Sequence, residues 1–204
     1  MSANKLHQAD AAQPETFAFT QENLRQADAI IARYPAGRQQ SAVMPLLTLA
    51  QKQNAGYLTK AAMDVIAGML GMAPVRVYEV ASFYTMYNRE PIGKHMIEVC
   101  TTTPCWLRGS DAVLEACEKR LGIKVGGTTA DGMFTLKEAE CLGACVNAPM
   151  CQVGDHYYED LTPENVVALI DTLASGQQPK AGPQGARHSS EPEGAKATLS
   201  QKGA

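Results

Sequence analysis

The sequence predicts an α+β protein: a small helical bundle first, then an α/β domain. Three observations predict it. Apolar residues recur at helical spacing in four short runs between Leu24 and Ala81, separated by Pro, Gly and Asn. Beyond Gly93 the pattern becomes alternation, at 95–99, 134–140, 150–153 and 156–158, as in strands. Two further helical runs interleave with these strands. Of 204 residues, 45% are hydrophobic and 19% charged, the balance of a globular chain rather than a disordered one.

Residues 1–16 are polar and are expected to be a flexible N-terminus. The helical bundle spans 17–91. Thr20 is placed to cap its first helix, with Phe19 stapling onto Leu24, and Leu24, Ala27, Ile31 and Tyr34 on one face. Pro35 and Gly37 stop that helix. Ser41 is expected to cap the second, with Pro45 tolerated in its first turn and Val43, Leu46, Leu47 and Ala50 inward. Thr59 caps a third helix through Ala62, Val65, Ile66, Met69 and Leu70, which Gly71 closes. Pro74 suits the first position of a fourth helix carrying Val77, Val80 and Ala81. Short links between short amphipathic helices make a bundle, and bundle core explains these stripes. Phe83, Tyr84, Met86 and Tyr87 crowd just before the break at 88–93. Such residues suit interfaces as well as cores, and packing between the domains is the default expectation.

The α/β domain spans 92–175. A strand over 95–99 delivers Cys100, and a helix starting between Cys105 and Ser110 carries Val113, Leu114, Cys117 and Leu121 to Gly122. A strand from Phe134 delivers Cys141. A hairpin turns at Gly154-Asp155, and Thr162-Pro163-Glu164 opens a last helix with Val166, Val167, Leu169, Ile170 and Leu173. Strand, helix, strand, hairpin and helix in that order describe a thioredoxin-like α/β domain. Residues 176–204 are rich in Gly, Pro, Gln, Ser and Lys, with Leu199 the one large aliphatic, and are expected to form a disordered tail.

Several function classes are excluded. A net charge of −3 argues against nucleic acid as a partner. No apolar run reaches the roughly 18 residues of a membrane helix, so no direct membrane insertion is expected. The N-terminus has neither an apolar signal core nor the arginines of a transit peptide. Six cysteines are too few for a disulfide scaffold of this length, which suits a reducing compartment, most simply the bacterial cytoplasm. No Gly-rich dinucleotide fingerprint follows a strand, so no NADH site is expected in this chain.

The chemistry concentrates in four thiols: Cys100 and Cys105 as C-x4-C, Cys141 and Cys145 as C-x3-C. Both pairs are expected in loops at strand ends, where such sheets place their sites. Four soft thiolates are the ligand set of an iron–sulfur cluster or of zinc. Zinc favours C-x2-C turns, and the wider spacings suit a larger, two-metal group. Iron–sulfur, zinc, and disulfides or free thiols all remain open on spacing alone. A dithiol redox pair would want C-x2-C, and a Rieske centre would want histidines, yet none of the four lies inside a Cys loop. The surroundings favour a cluster that gains negative charge on reduction. Thr101, Thr102 and Thr103 offer hydroxyls, Gly143 and Ala144 permit close backbone approach, and no charged side chain occurs over 142–153. The helix after Cys105 is expected to aim its positive end at the site. Cys117 fits the core face of its helix and is not expected to be a ligand, while Cys151 lies in a strand, where packing in the core or near the cluster is expected.

Four stretches carry a resemblance: Pro74-Val75-Arg76-Val77-Tyr78-Glu79-Val80-Ala81-Ser82-Phe83-Tyr84-Thr85-Met86-Tyr87, Cys100-Thr101-Thr102-Thr103-Pro104-Cys105, Glu140-Cys141-Leu142-Gly143-Ala144-Cys145-Val146-Asn147-Ala148-Pro149 and Tyr157-Tyr158-Glu159-Asp160-Leu161-Thr162-Pro163. Over about residues 17–175 the chain resembles the thioredoxin-like 2Fe–2S subunits of the NADH dehydrogenase module of respiratory complex I. The resemblance implies one 2Fe–2S cluster on Cys100, Cys105, Cys141 and Cys145. It implies no catalytic residue, but a one-electron carrier subunit of NADH:quinone oxidoreductase. The partner would be a flavoprotein subunit that binds NADH and FMN, with further peripheral-arm subunits around it. The location would be peripheral, on the cytoplasmic side of the bacterial inner membrane. A diaphorase subunit of a soluble NAD-linked hydrogenase or formate dehydrogenase is the alternative within that module family. A zinc-stabilised interaction module is the alternative of another class.

Overall fold

The computed structural model of the chain describes residues 14–192. Of the expected loose N-terminus, all but 14–16 lies outside them, as does 193–204. The chain divides between Ile92 and Gly93 into two compact units.

The first unit is built from α1 (Gln21–Ile31), α2 (Val43–Gln53), α3 (Lys60–Leu70) and α4 (Pro74–Phe83). Thr20 and Thr59 cap as expected, accepting from the N–H groups of Asn23 and Ala62, and Pro74 opens α4. Ser41 does not cap α2. It lies in a 3-10 turn, Gln39–Ala42, that runs directly into the helix and makes a side-chain cap unnecessary. Leu46, Leu47, Leu58, Ile66 and Val77 are fully buried together and form the core. Leu24 departs from its expected place and is 44% exposed. Phe17 and Phe19 pack edge to face, centroids 5.1 Å apart, and lie against the core. Gln53 fixes the start of α1 by accepting from Thr20 N and Asn23 Nδ2 and donating to Ala18 O. Of the aromatic-rich group after α4, only Tyr87 is core, its hydroxyl donating to Met44 O. Phe83, Tyr84 and Met86 are exposed.

The second unit is a five-stranded sheet with helices. Its strands are β1 (His95–Cys100), β2 (Phe134–Ala139), β3 (Cys151–Val153), β4 (His156–Glu159) and β5 (Gly182–Pro183), in the order β2-β1-β3-β4-β5. β1 runs parallel to β2 and antiparallel to β3, β3 and β4 form the expected hairpin, and β5 runs parallel to β4. Past Cys100 the chain forms a five-residue α5 (Thr103–Leu107) that contains Cys105 and, after Gly109, a longer α6 (Ser110–Leu121), which starts within the range expected for the helix that follows Cys105. The last helix, α7 (Pro163–Ala174), is opened by a capping box between Thr162 and Asn165. Ile97, Val99, Leu136, Cys151 and Tyr158 meet Val113, Cys117, Val166, Ile170 and Leu173 in one core. This is the thioredoxin-like order expected from the alternation, and the whole is α+β. Gly93 starts the unit where no side chain fits: a Cβ there would lie 2.7 Å from the Phe134 carbonyl carbon.

Another expectation changes here. The disordered tail does not start at 176, because 176–192 are ordered against the sheet. β5 adds to the sheet edge, Gln178 donates to the hydroxyl of Tyr158 (2.6 Å), and Arg187 pairs with Asp160 (2.6 Å). Backbone pairing, side-chain hydrogen bonds and one ion pair hold this segment, not the apolar burial whose absence suggested disorder.

Candidate metal centre

Both cysteine pairs come to one end of the sheet through neighbouring strands. Cys100 is the last residue of β1, in register with Ala139, the last of β2, and Cys141 follows two residues later. The two strands are parallel, so both chains leave the sheet at the same end and deliver their thiols together. Cys105 lies in the first turn of α5 rather than in a loop, and is 1% exposed. Cys145 opens a 3-10 turn, Cys145–Asn147, that leads to the cis Ala148–Pro149 bond. Cys100, Cys105, Ala148 and Met150 pack as a small apolar cluster, with Leu142, Ala144 and Tyr157 half-buried against it.

Backbone bonds fix the loops. Cys100 N donates to Met150 O (3.1 Å), Trp106 N to Thr102 O (2.9 Å) and Asp160 N to Asn147 O (2.8 Å). From the hairpin, the Tyr157 hydroxyl donates to Leu142 O at 2.9 Å and holds the second cysteine loop. No sequence signal marked Tyr157 for this, since the contact depends on β4 lying beside the loop. Gly143 has φ +87°, and a Cβ there would meet nothing within 4 Å. Its backbone conformation, rather than close approach, is what calls for glycine.

The thiols form two close pairs. Cys141 and Cys145 have their sulfurs 3.4 Å apart, and the Cys100 and Cys105 thiols hydrogen-bond to each other. The parallel strands β1 and β2 end together, Cys100 in register with Ala139, so the pairs are neighbours. Among the described residues no three His, Cys, Asp or Glu side chains gather as a single-ion site. Two pairs side by side suit two metal ions with two thiolates each.

The electrostatics favour thiolate at particular positions. Burial opposes ionisation of Cys100. Hydrogen bonds from the Thr102 hydroxyl (3.3 Å), the N–H groups of Thr102 and Leu142 and the Cys105 thiol outweigh it and hold Cys100 below the usual thiol range. Cys105 is pushed up to about 12, first by burial, then by its bond to Cys100, while the Met150 N–H works the other way. The Gly143 N–H, then the Cys145 thiol, lowers Cys141, and the reciprocal bond to Cys141 raises Cys145. Of the three threonines only Thr102 reaches sulfur, at Cys100 and Cys141. N–H groups of other residues thus meet three of the four sulfurs, and Cys145 has its own, which is what a thiolate-bound cluster needs to offset its negative charge. Cys117 and Cys151 lie elsewhere, fully buried in the main core. Burial pushes Cys117 up to about 12 and raises Cys151 as well.

An α/β sandwich with paired thiols at one sheet end, met by backbone N–H groups, defines a metal–thiolate protein of thioredoxin-like fold. The chain belongs to the Thioredoxin-like [2Fe-2S] ferredoxin family, whose sequence model matches residues 27–174. One 2Fe–2S cluster is the cofactor of such a chain, and the donor set found here fits it. Among relatives, "NADH dehydrogenase [ubiquinone] flavoprotein 2, mitochondrial" of Dictyostelium discoideum is 52% identical over 183 residues, 90% of this chain and 74% of that one. A subunit of the NADH-quinone oxidoreductase of Rickettsia conorii is 55% identical over 157 residues, 77% of this chain and 94% of that one. Among solved structures, an air-oxidised NAD+-reducing [NiFe]-hydrogenase aligns with a TM-score of 0.55 at 21% identity. That alignment covers 64% of this chain and 23% of the hydrogenase chain, a likeness of fold alone.

Proposed function

We propose that this chain is the 2Fe–2S electron-carrier subunit of an NADH:quinone oxidoreductase, respiratory complex I. Cys100 and Cys105 would hold one iron, Cys141 and Cys145 the other. The observation that carries this reading is the meeting of two thiol pairs, distant in sequence, at the shared end of parallel strands. When bound, the cluster supplies a site that takes up and returns one electron. The chain's own groups hold and tune it. The thiolates carry the charge, and N–H groups of Thr102, Leu142, Gly143 and Met150 oppose it. Buried Ala148 and Met150 keep water from one side.

The relatives at 52% and 55% identity support membership of a multi-subunit oxidoreductase. The electron partner in this reading is the FMN of an NADH-binding flavoprotein subunit, among further peripheral-arm subunits. Trp106, Leu107 and Val146 are 55%, 71% and 64% exposed beside the cysteines, which suits a face that a partner covers. The complex would sit against the cytoplasmic side of the bacterial inner membrane. Among the described residues no helix is long and apolar enough to cross it.

Metal analysis of anaerobically purified protein tests the cofactor. Iron and acid-labile sulfide in equal amounts, with a paramagnetic signal after dithionite, is the expected result. Zinc without sulfide would overturn it. Cys141→Ser is expected to lower cluster occupancy, and Cys117→Ser to leave it near the wild-type level. Equal loss from both would refute the ligand set. Co-purification with membrane subunits tests the assembly, and recovery solely with a soluble hydrogenase would contradict it.

A further inference from the structure

The loop of the second cysteine pair is exposed, yet the turn that follows it is tied down from an unexpected direction. Asn147, two residues after Cys145, is 1% exposed. Its side-chain amide donates to Glu159 Oε2 (2.6 Å) and to the carbonyl of Ser189 (2.9 Å). Val146, next to Cys145, gives its carbonyl to Arg187 Nη1 at 3.2 Å. The same guanidinium donates through Nη2 to Asp160 Oδ1 (2.6 Å) and through Nη1 to the Glu191 carbonyl (3.3 Å). Asp160 N in turn donates to Asn147 O. A ring of contacts therefore closes through the 3-10 turn, Arg187 and the end of β4.

The segment that supplies Arg187 is itself anchored. β5 pairs Gly182 with Tyr158 and Pro183 with Glu159, and Gln184 N donates to Glu159 O at 2.9 Å. At the far end His188 N donates to Glu191 Oε1 at 2.7 Å. The Arg187 and Asp160 side chains are only 13% and 14% exposed, so their charges are held away from bulk water. The planar guanidinium reaches one carboxylate oxygen and two carbonyls at once through donors held in a fixed fork, a geometry that the flexible lysine ammonium does not preset.

We propose that residues 182–191 form a strap that fixes the loop of Cys141 and Cys145, with Arg187 as its positioning residue, and that this slows loss of the bound cluster. The inference rests on the reading that these two cysteines hold one iron of the cluster. Arg187 touches neither sulfur nor metal in this scheme. It acts by keeping Val146 and Asn147, and through them Cys145, in one place. Groups that orient metal ligands from behind commonly change metal retention when removed.

The test uses the full chain, purified anaerobically with its cluster, as wild type, R187A and R187K. Each is exposed to excess ferrous chelator while the visible absorbance of the cluster is followed. R187A is expected to lose its cluster about 10-fold faster than wild type. R187K is expected to fall between them, since lysine keeps the charge against Asp160 but not the fork. Amide exchange on the same samples separates positioning from general instability. Faster exchange in R187A confined to 144–149 and 159–161, with Ile97 and Leu136 unchanged, supports the strap. Faster exchange throughout β1 and β2 would overturn the positioning role, as would equal chelation rates for wild type and R187A. Wild-type protein without acid-labile sulfide would instead refute the cluster reading, and the strap with it.

Discussion

At Cys117 and Cys151, cysteine behaves as a small apolar residue. Each is fully buried, its thiol raised by burial, while Cys100 and Cys141 sit where N–H groups favour thiolate. The same side chain does two jobs because its neighbours differ, and the sequence separated the two by spacing alone. His95 shows the opposite situation, a titratable group with no charge partner of opposite sign. Its Nε2 is buried without a hydrogen-bond partner and its ring lies 5.5 Å from that of Phe134. Burial, then the Lys94 charge, holds its pKa below the usual imidazole value. The unfolded chain therefore binds the proton more readily than the folded one. Its contribution to stability is full above the unfolded value of about 6.5 and is lost as the pH falls from there toward the folded pKa. His95→Gln is expected to flatten that part of the profile. Urea midpoints measured above and below that pH, for both proteins, would show it.

Elements, more than residues, bring the site together. β1 and β2 are parallel and in register from His95↔Phe134 to Cys100↔Ala139, so the ends of two distant segments coincide. That register needs close approach at its start, where Gly93 N donates to the buried Thr135 hydroxyl at 2.7 Å. Gly93→Ala would drive a Cβ into the Phe134 backbone, with carbon and nitrogen at 2.7 and 2.8 Å. We expect a cost of about 1–3 kcal/mol, seen as a lower urea midpoint, with reduced cluster retention in the same protein. The helices were legible element by element: Thr20, Thr59 and Thr162 cap where their side chains predicted. The exceptions share one cause, in that neighbours replaced a local signal. A 3-10 turn made the Ser41 cap unnecessary, and Leu24 is exposed while Phe17 and Phe19 pack against the core. β5 was invisible because Gly-Pro carries no strand pattern, and it pairs solely because β4 offers a free edge.

At the scale of the whole molecule, each unit has its own core, one built on Leu46, Leu47 and Ile66, the other on Ile97, Leu136 and Tyr158. Ile66 is fully buried, and Ile66→Ala is expected to cost the helical unit about 2–5 kcal/mol. If the cores are energetically separate, amide exchange will rise across α2 and α3 while the cluster spectrum stays unchanged. A uniform rise would argue for one cooperative unit. By itself the sequence determined the two-part α+β organisation and marked out four thiols by their spacing, because periodicity and spacing are local properties of the chain. It also determined that Cys117 faces a core. Tertiary structure alone decided that the two thiol pairs meet at one end of the sheet, which N–H groups face them, and that the chain after Gly176 returns to the sheet. Those depend on segments far apart in sequence meeting in space, and no local pattern encodes a hydrogen bond between Arg187 and the carbonyl of Val146.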